Sequence, residues 1–272
     1  MTGTPDTALI AGTGLLPALL AKARPDLLIC ELEGFPSAVP GATPERFRVE
    51  RLVPFLDGLV ARGIETVVFA GAMQRPKLEP EFFDPQTASL VPRLLGAMQA
   101  GDDETLRAVI ELFEEWGLRV VGAHEIAPDL VPEAGILCGD VTEADQRDQA
   151  RAAEIVAALG SVDVGQGAVV AQGLCLAVES LPGTDAMLAF AADHQGLRPD
   201  PKGAGGVFYK APKPGQDRRI DLPAIGPQTV ANAAKAGLSG IAWEAGGVML
   251  LDREATVAAA REAGLFLWAC AP

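Results

Sequence analysis

The residues best equipped for chemistry fall in one stretch, Lys202 to Pro227, KGAGGVFYKAPKPGQDRRIDLPAIGP. Between Lys202 and Arg219 it carries five basic residues, Lys202, Lys210, Lys213, Arg218 and Arg219, against one acid, Asp217, in a chain of net charge −14. A local inversion of sign on a loop shaped by glycine and proline points to a bound anion. Phosphate is the anion that lysine and arginine serve best, with charge and donors together. The competing reading is a solvated loop. Asp221 lies between these cations and Pro223. Its carboxylate suits a metal ligand, a group that orients water, or a turn cap. Glu179, Asp185 and Glu244 also stand at or just after the ends of expected elements. Carboxylate oxygens with open water positions are the ligands Mg²⁺ prefers, and phosphate completes its shell. An N-cap role accounts fully for Asp185, and a solvated strand end accounts equally well for Glu179. Covalent catalysis is poorly supplied. The chain has two histidines, His124 and His194, and no GxSxG elbow, and Cys175 in an apolar run reads as a core thiol.

The elements that must position these groups alternate. Thr7–Ala11, Leu27–Glu31, Thr66–Ala70 and Leu118–Val121 read as buried strands, and Leu15–Ala23, Val49–Arg62 and Asp103–Trp116 as helices between them. That rhythm predicts a Rossmann-like, mostly parallel N-terminal sheet. Gly12-Thr-Gly14 follows the first strand, but proline at position 17 replaces the third glycine of a dinucleotide fingerprint. The turn is therefore either a nucleotide contact at a helix N-terminus or a tight βα turn that needs glycine. Gly71 and Gln74, after another strand, stand where such sheets place ligand contacts. Beyond a Pro/Gly-rich connection, a second α/β domain with a mixed sheet is expected. It has helices at 142–159, 185–194, 227–235 and 253–263 and strands within 166–179, 241–244, 248–251 and 265–269. The boundaries expected are 1–131, a linker at 132–139, and 140–272. The acids and bases from Asp145 to Glu154 read as mostly a solvated helix face after a Thr142 cap.

Composition excludes several classes. A net charge of −14 argues against binding a nucleic-acid backbone. Cys30, Cys138, Cys175 and Cys270 form no CxxC, so a structural zinc site is not expected and reduced thiols are. The apolar run 168–178, broken by Gln172, is far too short to span a bilayer, and no secretory signal opens the chain. A cytoplasmic protein is expected.

GTGLLP near the N-terminus, VESLPGTDAML at 178–188, KAPKPGQDRRIDLPAIGPQTV at 210–230, AKAGLSGIAWEAGGVMLLDRE at 234–254 and AGLF at 263–266 resemble the bacterial LpxI family of UDP-2,3-diacylglucosamine pyrophosphatases. The resemblance runs over nearly the whole chain, and its second-half motifs are long and specific. It implies Mg²⁺-dependent hydrolysis in lipid A biosynthesis, giving UMP and 2,3-diacylglucosamine 1-phosphate (lipid X), with water attacking the sugar-side phosphorus. It also implies a homodimer and a nucleotide-sugar lipid held between two domains. If Gly12, Gly14 and Gly71 of the first half and the cationic loop of the second serve one ligand, the 128–139 connection is expected to act as a hinge. A peripheral location at the inner membrane, with transient contact to collect and deliver lipid, accompanies this expectation. Asp221 matches the family's D-x-P aspartate, and Lys210, Lys213, Gln216 and Asp217 match its K-x-x-K-P-G-Q-D. The candidates are then Asp221, Lys210 and Lys213 for catalysis and Asp221, Glu179 and Glu244 for metal. Gly12, Gly14, Gly71, Gln74, Gln172, Thr184, Gln216 and Asp217 are the candidates for substrate binding. The alternative is a non-catalytic protein that binds a nucleotide sugar or lipid. A nicotinamide-dependent oxidoreductase is disfavoured by the missing glycine.

Overall fold

The computed structural model describes residues 5–73, 76–100 and 102–271. The chain divides into two compact units, one formed by 1–128 with 217–221 and the other by 129–216 with 222–272.

In the first unit, β1 (Thr7–Ala11), α1 (Leu16–Ala23), β2 (Leu28–Leu32), β3 (Glu45–Phe47), α2 (Leu52–Ala61), β4 (Thr66–Ala70), α3 (Pro85–Ala100), α4 (Asp102–Glu115), β5 (Arg119–Val121) and α5 (Ala123–Ile126) follow in order. The five strands make one parallel sheet in the order β3-β2-β1-β4-β5. Every residue of β1 and β4 is buried, as continuous apolar runs covered on both faces require. Ile10, Leu56, Val67, Ile110, Leu112 and Phe113 pack the core, with Phe69 edge-on to Phe113 at 5.1 Å between centroids. Each such side chain contributes roughly 1.5–3 kcal/mol on burial. The sequence reading did not anticipate α3, which carries Pro92 in its interior. Proline there removes a backbone donor and normally breaks a helix.

The second unit contains β6 (Gly135–Cys138), α6 (Glu143–Ser161), β7 (Gly167–Ala171), β8 (Leu174–Val178), α7 (Gly183–Asp193), β9 (Val207–Lys210), β10 (Ala224–Ile225), α8 (Pro227–Lys235), β11 (Gly240–Glu244), β12 (Met249–Leu250), α9 (Arg253–Ala263) and β13 (Phe266–Cys270). Its main sheet runs β6-β13-β11-β9-β7-β8, and β10 and β12 form a separate pair. Strands β9, β11 and β13 are parallel, whereas β6, β7 and β8 pair antiparallel with their neighbours, so the sheet is mixed as expected. Trp243, Phe208, Leu188 and Leu267 are fully buried at its centre. Thr142 and Asp145 close a capping box on α6: Thr142 Oγ1 accepts from Asp145 N (3.2 Å) and Asp145 Oδ2 accepts from Thr142 N (3.0 Å).

Two placements differ from the sequence reading. The stretch expected as a linker, 132–139, contains β6, which pairs antiparallel with β13. Residues 217–221 group with the first unit, although their neighbours on both sides belong to the second. The cause is local. Ile220 packs against the first unit's core, and Arg219 reaches Glu114 of α4 at 2.6 Å.

Candidate active site

In the second unit, parallel pairing sets Lys210 opposite Trp243, so the C-terminal ends of β9 and β11 deliver Lys210 and Glu244 to one edge of the sheet. Antiparallel β7 begins at that edge, with Gly167 opposite Lys210, and β8 ends there, where Glu179 N donates to Gly167 O at 2.8 Å. The first turn of α7 adds Thr184. Three residues singled out from sequence are thereby brought together. Lys210 Nζ donates to Thr184 Oγ1 at 2.6 Å, and that hydroxyl donates to Glu179 Oε2 at 3.1 Å. Lys210 Nζ also lies 3.7 Å from Glu179 Oε2, with the two side chains only 6% and 9% exposed. Pro182 precedes the helix, and Asp185, expected as a cap, instead accepts from Asn232 Nδ2 at 2.8 Å.

The loop after β9 is closed by Gln216, whose Oε1 accepts from Lys213 N at 3.0 Å while its own N donates to Lys213 O. Lys213 Nζ pairs with Asp163 at 2.8 Å. Beside this edge an apolar groove of about 530 Å³ runs between β8 and α7, lined by Leu176, Val178, Pro182, Ala186, Met187 and Phe190. Gly183 and Ser180, on the same wall, flank Thr184 and Glu179. Leu181 is 96% exposed beside it.

In the first unit, Gly12 and Gly71 cross at the C-terminal ends of β1 and β4. Thr13 N and Ala72 N donate to each other's residue carbonyls, both at 2.9 Å, and Gly12 N donates to Ala70 O at 2.8 Å. A Cβ on Gly12 would lie 2.6 Å from Ala72 O, and one on Gly71, whose φ is +92°, would lie 2.6 Å from Thr13 O. These two glycines are required by the backbone crossing itself. Gly14, at φ +99°, has no such neighbour and serves the turn into α1. Gln74 lies outside the described residues. On the 217–221 segment, Asp217 is clamped by Arg219, whose Nε and Nη2 donate to it at 3.0 and 2.7 Å. Those hydrogen bonds hold the Asp217 carboxyl below the usual range. Its carboxylate thus orders the segment that ends in half-buried Asp221.

Gln172 does not join the site. It turns β7 into β8 at the opposite end of the sheet with a left-handed φ of 55°. Its amide group donates to Asp200 O (2.8 Å) and Ala204 O (3.1 Å) and accepts from Asp200 N (2.9 Å). Asp148, read from sequence as part of a solvated face, is 2% exposed and accepts from Gln172 N and Gly173 N. Cys175 is exposed rather than in the core. Burial pushes the Cys30 and Cys270 thiols up to about 12, which leaves neither a nucleophile at neutral pH.

For a metal, the donor chemistry is selective. Among the described residues no three His, Cys, Asp or Glu side chains are grouped to hold one. Glu179 already serves Lys210 and Thr184. Magnesium needs only one or two protein carboxylates when substrate phosphates and water complete its shell. Asp221 and Glu244 are the carboxylates of the expected set whose chemistry fits that role.

Both parts of the chain match family models: the LpxI N-terminal domain over residues 6–130 and the LpxI C-terminal domain over 133–268. The chain belongs to the LpxI family. It is 40% identical over 270 residues to the UDP-2,3-diacylglucosamine pyrophosphatase LpxI of Caulobacter vibrioides, covering 95% of each chain. The LpxI match takes in β9, the loop after it and α7, and so every residue of the Lys210 edge. Among the described residues no helix is long and apolar enough to cross a membrane.

Proposed function

We propose that this protein hydrolyses the diphosphate of UDP-2,3-diacylglucosamine, giving UMP and 2,3-diacylglucosamine 1-phosphate, a step of lipid A biosynthesis. The observation that carries the reading is the match to an LpxI pyrophosphatase over nearly the full length of both chains. The second unit supplies what an amphipathic diphosphate needs. Lys210 and Lys213 lie on one loop-bearing edge for the anionic part, and the groove between β8 and α7 lies alongside for an acyl chain. Lys210 and Lys213 hold the diphosphate and offset charge on the departing phosphate. Asp221 orients the attacking water or holds the metal. Magnesium, when bound by Asp221 or Glu244 together with phosphate oxygens, supplies further positive charge to the diphosphate.

The test is incubation of the purified protein with UDP-2,3-diacylglucosamine in ¹⁸O-water, with mass analysis of both products. UMP and labelled lipid X are expected, because the proposal has water attack the sugar-side phosphorus. Label in UMP would overturn that direction of attack. An unchanged substrate pool would overturn the reaction in favour of a binding protein. Excess EDTA should abolish turnover, and full activity in its presence would remove magnesium from the proposal.

A further inference from the structure

A buried ion pair is a weak source of stability, since taking both charges out of water costs about as much as their attraction returns. The Glu179–Lys210 pair is nevertheless built with care. Glu179 must reach over the start of β7 to meet Lys210 on β9, and position 167, which lies between them in the sheet, is glycine. A Cβ there would stand 2.6 Å from Glu179 Oε2 and 3.0 Å from Phe208 Cε2. The missing side chain is the opening through which the carboxylate approaches the ammonium group. Thr184 then bridges the two, accepting from Lys210 Nζ and donating to Glu179 Oε2, so the single hydroxyl proton is fully committed.

We propose that Glu179 and Thr184 are positioning residues that keep the Lys210 ammonium charged and oriented at the end of β9, with Gly167 as the opening that admits the carboxylate, and that Glu179 is not a metal ligand. Of the charged groups on the surrounding elements, Glu179 on the β8–α7 turn lies 3.7 Å from the Lys210 ammonium; Glu244 ends the neighbouring β11 one residue beyond the partner of Lys210 and acts on Tyr209, and Lys213 on the loop after β9 pairs with Asp163. Thr184 of α7 and Gly167 of β7 are uncharged. Among the described residues, Glu179 approaches Lys210 through a bridging side chain, Thr184. That Lys210 acts on a diphosphate rests on the reaction proposed above, whereas its charge state does not.

The experiment uses the full chain labelled with ¹³C-lysine. There are six lysines, Lys22, Lys77, Lys202, Lys210, Lys213 and Lys235, and the spectrum of Lys210→Arg identifies the Lys210 signal. Removing a carboxylate from a neighbouring ammonium favours the neutral form, so Glu179→Gln should lower the Lys210 titration midpoint by about one unit or more. Gly167→Ala retains both charges but displaces the carboxylate. It should move the midpoint the same way, and it supplies the readout if Glu179→Gln does not fold. Glu179→Asp should recover part of the shift. A midpoint unchanged in both Glu179→Gln and Gly167→Ala overturns the proposal. In turnover, Glu179→Gln should lower kcat by about ten- to a hundredfold with KM nearly unchanged, the scale of a displaced catalytic group. The magnesium concentration for half-maximal rate should stay that of the wild type. A raised magnesium requirement would make Glu179 a metal ligand and overturn the assignment. A wild type that does not hydrolyse the substrate would refute the reaction, and the titration would still decide the role of Glu179.

Discussion

Asp148→Ala should destabilise the second unit while sparing the chemistry at Lys210. The carboxylate receives the amides of Gln172 and Gly173 at 2.8 and 2.7 Å, and the aspartate is 2% exposed. Hydrogen bonds to charged groups contribute about 1.5–3 kcal/mol each. Gly173 is exposed and Gln172 half-buried, so water can reach both amides once the carboxylate is gone. The loss therefore falls at the low end, about 3 kcal/mol for the two bonds. Asp148→Asn keeps one acceptor and should lose about half of that. The turn is strained, since Gln172 sits at a φ of 55° that non-glycine residues avoid, and the Gln172 side-chain bonds to Asp200 and Ala204 leave its backbone amide to Asp148. The assay is urea denaturation followed by the fluorescence of Trp243 and Trp268, both in the second unit's sheet. A Trp116→Phe background removes the first unit's signal, because two units need not unfold as one transition. At low urea, kcat and KM should match the wild type, since the turn lies at the end of the sheet away from Lys210. A loss below about 1 kcal/mol would refute the clamp. A raised KM in the folded variant would return Gln172 to the substrate.

Asp221→Ala should bring kcat close to background while lipid-substrate binding survives, because a group that orients water or metal acts mainly in the transition state. Near-normal turnover in a folded variant would reduce Asp221 to a turn residue. Shortening the substrate's acyl chains should lower kcat/KM by about fourfold for each methylene withdrawn from the groove, at about 0.8 kcal/mol per CH₂. Ala186→Trp, on the exposed groove wall of α7, should flatten that dependence, and an unchanged slope would remove the groove from the site. Asp217 is held below its ordinary value of 3.8, chiefly by hydrogen bonds from Arg219. Its contribution is full above the unfolded carboxylate's pKa and is lost as pH falls through the depressed one. The Arg219→Ala variant should accordingly lose less stability on acidification below pH 3.8 than the wild type, as followed by thermal unfolding. Parallel acid titrations of the two would refute the clamp.

How much of this was legible in the sequence depended on whether local pattern or tertiary register carried the information. β1, β4, α8 and α9 read directly, because apolar runs and a proline or glycine at the ends are local signals. The helix α3 did not, because Pro92 argues against the structure that tertiary packing imposes. Nor did β6, in a stretch rich in proline and glycine, since what makes it a strand is an edge of β13 far along the chain. The site followed the same division. Lys210, Thr184 and Glu179 each stood out singly as a polar residue at an element's end. Their convergence is set by antiparallel β7, which lies between β8 and β9 and has a glycine where the other two residues meet. Gly167 had no signal of its own in a run that reads only as strand. Asp148 was hidden by helical charge patterning, which does not tell a solvated acid from one turned inward. The 217–221 segment offered one local clue: Ile220 is the only apolar residue between Asp217 and Asp221. It is also the residue that packs on the first unit's core. An isolated apolar side chain within a charged loop thus marked the point where the motif departs from the unit that carries its lysines. Lys210, Lys213 and Gln216 belong by their contacts to one unit and Asp217 and Asp221 to the other, within twelve residues of chain.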